Sequence, residues 1–247
     1  MPARSDRTTD PQILAALLLA RRGQAYFSRK LNELRDCELD EPSLLAGWTR
    51  RHVIAHVGLN ARALTRLTEW AATGVETPMY DSPRARDEEI EFAATLPDRA
   101  LRHLSAHAAV HLDVEWRDLA PEAWHAIVRT AQGREVPASE SVWMRTREVW
   151  IHAVDLDNGG TFRHFPPELV DALLADVERT WRRKHAGPLP VLEPTDRARR
   201  ELEGTEDGGP RVRGRAADLA RWATGRGGAG QLELAGGGEV PEPPSWL

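Results

Sequence analysis

Cysteine is nearly absent. The single Cys37 among 247 residues excludes an internal disulfide and any multi-cysteine metal cluster. A reaction that needs a thiol nucleophile would draw it from a cosubstrate. Lysine is almost as scarce, Lys30 and Lys184 against 31 arginines, a usage typical of a GC-rich bacterial genome. Long apolar runs are missing too: the longest, residues 13–20, spans eight residues where a bilayer crossing needs about 20. That run follows Asp6 and Asp10 and precedes Arg21 and Arg22 rather than a small-residue cleavage site, so it does not read as a secretory signal, and the expected location is the cytoplasm. There is no basic excess. With 33 basic and 38 acidic residues the formal charge is -5, which gives no surplus for neutralising phosphates and sets nucleic acid aside as a partner.

What is present is the composition of a folded, soluble chain, 41% hydrophobic and 29% charged, long enough for one large domain or two small ones. Asp10-Pro11 offers an N-cap and an N1 proline to a first helix over about 11–36, weakened in its middle by Gly23. Thr49 caps a second helix to about Ala72, closed by Gly74 and Pro78. Ser82-Pro83 opens a third helical stretch, broken at Pro97 and resumed to about Trp116. After a connection punctuated by Gly and Pro, Ser139 or Ser141 begins another helix that ends near residues 158–160. Four amphipathic segments with no convincing alternating strands between them predict an antiparallel four-helix bundle over residues 1–160. Residues 161–247 predict a small α+β domain, with helices over about 167–185 and 216–224, short apolar pieces at 189–192 and 232–234, and a charged loop over 195–213. The fold class is therefore mainly α.

Three residues on two of these helices suit a metal. His52 and His56 lie four apart and project from one face of the second helix, and Glu148 and His152 stand in the same relation on the last bundle helix. Two imidazoles and one carboxylate leave an open coordination position, the arrangement of a catalytic zinc site. The candidate ligands are His52, Glu148 and His152, with His56 and Asp155 in supporting roles that orient the ligating rings. A packed or solvated pair is the competing reading of His52 and His56. The stripe His103, His107 and His111 shares a face with no carboxylate at matched spacing and reads as solvated or packed. Cys37, between the acidic Asp36 and Glu38, reads as structural. The nine tryptophans, Trp48, Trp143, Trp150 and Trp222 among them, read as anchors of the core or of a domain interface.

Four stretches carry a family resemblance: GWTRRHVIAH at 47–56, ETPMYDSPRARDEEI at 76–90, TAQGREVPASESVWMRTREVWIHAVDL at 130–156 and GEVPEPPSWL at 238–247. They resemble the mycothiol-dependent maleylpyruvate isomerases, within the DinB-like group of metal-binding helix bundles. The resemblance implies zinc on His52, Glu148 and His152, and mycothiol as the thiol cosubstrate. It also implies an arginine of the second domain taking part in activity, carried over onto Arg226 in GRAADLARWATGRG at 214–227. The implied reaction is cis-trans isomerisation of maleylpyruvate to fumarylpyruvate, a step of gentisate-type aromatic breakdown. The chain departs from the family pattern in its charged stretch at 195–213 and in His103 and His111. Two alternatives stand beside this reading: a mycothiol S-transferase of the same bundle group, and a metal- or ligand-binding module without catalysis. No nucleic acid, no membrane and a monomeric chain complete the expectations.

Overall fold

Asp10 accepts hydrogen bonds from the backbone N–H groups of Gln12 and Ile13, and Pro11 presets the first turn, so α1 (Pro11–Glu33) begins where the sequence places a cap. A computed structural model describes residues 5–197 and 209–246 of the chain. Helix α2 (Arg50–Thr73) follows Thr49 and ends at Gly74, whose φ of 74° is the left-handed cap that glycine adopts without strain. The third predicted stretch is two helices, α3 (Pro83–Ala94) and α4 (Asp98–Asp118), separated at Pro97. Helix α5 (Glu140–Asp155) closes the first unit, which runs to Gly160.

In this unit α2 packs on α4, α5 and α3, and α1 packs on α5. Leu17, Phe27, Ile54, Leu64, Leu67 and Leu101 are fully buried between them, and each such side chain contributes about 1.5–3 kcal/mol by leaving water. One element departs from expectation. Between α4 and α5 a hairpin of β1 (Ile127–Arg129) and β2 (Glu135–Pro137) pairs Val128 with Val136, both buried. Three-residue strands are too short to leave an alternating pattern in a sequence, which is why this segment reads as a plain connection.

The second unit starts at Thr161. Helix α6 (Pro167–Lys184) and α7 (Ala216–Ala223) pack together, their buried Trp181 and Trp222 rings meeting edge-on at 6.1 Å. A three-stranded sheet sets β3 (Val191–Pro194) parallel to β4 (Arg211–Gly214), and β4 antiparallel to β5 (Glu233–Leu234). The expected charged loop over 195–213 is thereby shortened. Residues 198–208 lie outside the described residues, and 211–213 are strand: Val212 is buried while Arg211 and Arg213 reach Glu193 at 2.6 and 3.3 Å. Charge alternating with one valine satisfies a strand with one solvated face. The tail is pinned by Trp222 Nε1 donating to the Pro241 carbonyl and Trp181 Nε1 to that of Pro244. Among the described residues no helix is long and apolar enough to cross a membrane.

Candidate metal centre

Arg50, in the first turn of α2, locks the start of that helix to the end of α5. Its Nε donates to the Leu156 carbonyl at 2.7 Å and its Nη2 to that of Asp157 at 3.0 Å, while Nη1 reaches Glu41 at 2.6 Å. With these two ends held in register, His56 of α2 faces Glu148 and His152 of α5. His56 Nε2 lies 2.8 Å and His152 Nε2 3.0 Å from the same Glu148 oxygen, and the two rings meet edge-on at 4.8 Å. One ligand atom from each of the three lies within 4.8 Å of the others. Two imidazole nitrogens and a carboxylate oxygen, converging from two helices, are a donor set that fits zinc.

His52 is not part of this group. Thr49 N–H donates to its Nδ1 at 3.2 Å and Thr49 Oγ1 lies 2.8 Å from the same atom, so the ring folds back to cap α2, and its Nε2 faces Glu91 at 3.3 Å. The structure therefore brings Glu148 and His152 together with His56, one turn further along, in place of the expected His52. Asp155, fully buried, lies 2.8 Å from His152 Nδ1, the position from which a carboxylate orients such a ring.

Protons and charges hold the group together. Burial opposes charge on His152, but Asp155 and Glu148 on either side overcome it and raise its pKa to about 9. Burial also works against an ionised Glu148, yet His56 and His152 outweigh it and hold the carboxyl well below its usual range. Burial pushes the pKa of His56 down, against the opposing pull of Glu148. Below them Arg145 is buried, its pKa lowered to about 10 by that burial. It donates to the Val57 carbonyl at 2.7 Å, Asn60 Oδ1 at 3.0 Å and Gln24 Oε1 at 2.8 Å, so one side chain ties α5 to α2 and α1.

Several participants escaped sequence reasoning. The Trp48 ring lies against both His52 and His56, with centroids 6.1 and 5.5 Å away, and is a wall of the site rather than a core anchor. Arg86 of α3 reaches His56 Nδ1 at 3.3 Å and also lies over the Tyr80 ring, whose hydroxyl pKa burial pushes up to about 12. Tyr80 and Arg86 both stand in the 76–90 stretch, a signal of resemblance that names no role. The His103 and His107 rings stack at 6.2 Å, both residues exposed, and His111 lies 3.4 Å from Glu115, a carboxylate at matched spacing that the stripe was expected to lack. Cys37 is exposed in a short turn (Asp36–Glu38) instead of packed.

In the second unit Arg226 follows α7 in a turn flanked by Gly225, Gly227 and Gly228, all at positive φ. Its Nη1 donates to the Thr224 carbonyl at 2.6 Å, and Arg221 Nε donates to the carbonyl of Arg226 at 3.0 Å. Arg221 thus props the turn that carries Arg226.

Comparison with known proteins covers both units. Residues 20–157 match the family described as mycothiol maleylpyruvate isomerase N-terminal domain, and residues 164–245 match the MDMPI C-terminal domain. A crystal structure of the mycothiol-dependent maleylpyruvate isomerase is similar with a TM-score of 0.88 and 46% identity, over 95% of this chain and 97% of that one. The structure of a histidine-to-alanine mutant of that isomerase gives the same figures. No curated protein sequence matches.

Proposed function

This chain belongs to the mycothiol-dependent maleylpyruvate isomerase family, and from that premise we propose that it converts maleylpyruvate to fumarylpyruvate with mycothiol as the thiol, a step of gentisate-type aromatic breakdown in the cytoplasm. The observation that carries this reading is the converging His56, Glu148 and His152 group, which includes no cysteine. Rotation about a carbon-carbon double bond is slow, so the bond must become single for a moment. The mycothiol thiolate adds to the activated alkene, its electron pair moves onto the conjugated carbonyl as an enolate, the new single bond rotates, and collapse of the enolate expels the thiolate and leaves the trans alkene. No atom is gained or lost overall.

His56, Glu148 and His152 would hold zinc, which when bound lowers the pKa of a thiol and offsets developing negative charge. Asp155 keeps the His152 ring aimed through its Nδ1. Arg145 holds α5 and α2 together beneath the group, and Trp48 covers one side of His56. Arg226 is assigned to a substrate carboxylate on the sequence resemblance and on the planar fork that arginine offers to carboxylates.

Zinc-replete protein supplied with maleylpyruvate and mycothiol should turn over, and omission of mycothiol should stop it. Cys37→Ser should keep the full rate. Turnover without any added thiol, or none with zinc and mycothiol both present, would overturn the proposal.

A further inference from the structure

Helices α2, α3 and α4 enclose a groove of about 630 Å3, within the range of roughly 300–1,000 Å3 that small-molecule sites occupy. His56, Glu148 and His152 do not line it. Its floor is apolar and buried, made by Leu59 and Ala63 of α2 with Met79 and Ala93. Phe92 of α3, on the same lining, is 72% exposed, an aromatic ring left to solvent beside an apolar hollow.

Charge at the groove is unbalanced. Arg62 and Arg66 stand one turn apart on one face of α2 and both line it. Other arginines of this unit are gripped by acids, as Arg21 is by Asp6 and Asp113 and Arg51 by Asp40. These two are not. Among the described residues neither is paired with a carboxylate, and Arg66 Nη1 donates only to the Met79 carbonyl, at 3.2 Å. The exposed Glu89 is the single carboxylate on the lining, so the two guanidiniums leave one positive charge in excess. His103 and His107, stacked at 6.2 Å, supply ring faces and polar nitrogens on the α4 side.

We propose that this groove is a ligand site for an amphipathic monoanion: a ring-bearing apolar body laid on the Met79 floor against Phe92, with one carboxylate held by Arg62 and Arg66. Guanidinium matches carboxylate in shape as well as charge, and the apolar floor disfavours a fully hydrated ion such as inorganic phosphate. Tyr80 lines the groove and accepts a hydrogen bond from Arg86, so the site adjoins the metal centre without sharing a proposed ligand with it. The assignment stands or falls apart from the isomerase reading.

The probes are 4-phenylbutyrate and its neutral counterpart 4-phenylbutanol, followed by the carbon-13 methyl signals of methionine. The chain has three methionines, and Met79 is the one on the groove floor, so its signal reports this place and Met144 serves as the reference. Phenylbutyrate should shift Met79 saturably with a Kd of about 1 mM or tighter. It should bind about tenfold more tightly than the alcohol, the worth of one charge-assisted hydrogen bond. The double variant Arg62→Gln, Arg66→Gln should lose that preference and keep the affinity for the alcohol. Ala100→Trp, at an exposed position of the lining, should block both probes. Absence of a saturable shift at Met79, or binding that survives Ala100→Trp, would overturn the site. Equal affinity for acid and alcohol in the wild type would overturn the anion. A dimer in sedimentation that Phe92→Ser separates would give the groove to a second copy of the chain and overturn the small-molecule occupant.

Discussion

Each nitrogen of an imidazole engages one strong partner at a time, and that decides what His52 and His56 can do. The Nδ1 of His52 is engaged by Thr49, the N-cap of α2, and its Nε2 points to Glu91. Replacing His52 with alanine should leave the zinc content near one per chain and cost about 0.5–2 kcal/mol of stability, the worth of a helix cap. Replacing His56 should abolish zinc binding in elemental analysis. Retention of zinc by His56→Ala would transfer the ligand role elsewhere. Spacing alone puts both histidines on one face, which is why the sequence narrowed the site to two turns of α2 and no further. The missing signal was the capping relation, Thr49 with a polar side chain three residues on, disguised because histidine stands where glutamate or glutamine is usual. Arg226→Ala, in turn, should keep zinc and lower kcat/KM by about 1.5–3 kcal/mol, if its guanidinium makes a charge-assisted bond to substrate. Arg221→Ala is no neutral control, because its Nε supports the same turn. Unchanged kinetics in Arg226→Ala would remove it from the reaction.

Helices are chosen by propensity but seated by their neighbours, and Gly23 separates the two effects. In sequence it weakens the middle of α1, where alanine would add about 1 kcal/mol of helix stability. In the fold, a Cβ at position 23 would lie 2.5 Å from the Trp150 indole and 2.6 Å from Val149 Cγ2, both on α5. Gly23→Ala should therefore destabilise by about 1–3 kcal/mol through overpacking, despite its better propensity. A gain in melting temperature would show that α1 and α5 can separate freely. The same helix is tied at its surface by Arg21, which grips Asp6 at 2.6 and 2.8 Å and Asp113 of α4 at 2.6 Å. Hydrogen bonds from Arg21 hold the Asp6 carboxyl below its ordinary value of 3.8, against the opposing effect of partial burial. A lowered folded-state pKa means stability that is present above pH 3.8 and is lost as pH falls through the folded value. Asp6→Asn should be less stable than wild type by about 1 kcal/mol at pH 7, a figure reduced for solvent screening. The difference should narrow in acid denaturation as pH falls below 3.8 and close once it passes the lower folded-state value. A gap that persists there would mean that the loss is not electrostatic.

Across the whole molecule, long helices with caps were legible and short strands were not. The ends of α1 and α2 follow from Asp10, Pro11 and Gly74, each of which acts within its own turn. The hairpin β1–β2 and the strand β4 depend on partners that are distant or too brief to impose a period. All three proposed ligands belong to the unit that ends at Gly160. Chelation should lower the thermal transition of that unit by several degrees, since zinc at 1,000 times its Kd contributes about 4 kcal/mol. Differential scanning calorimetry with and without chelator measures the shift, and an unmoved transition would mean that no ion stabilises the fold.

Arg50, on α2 ahead of His56, joins the start of that helix to the end of α5 just past His152 by two hydrogen bonds to carbonyls. Such a strut sets the span between the imidazole of one helix and the carboxylate and imidazole of the other before any ion arrives. A fixed span of this kind discriminates by size and preferred geometry among first-row dications that a slack pocket would rank by affinity alone. The selectivity of the site for one ion over its neighbours in the periodic table would then be written outside the ligands themselves, in a guanidinium that never touches the metal.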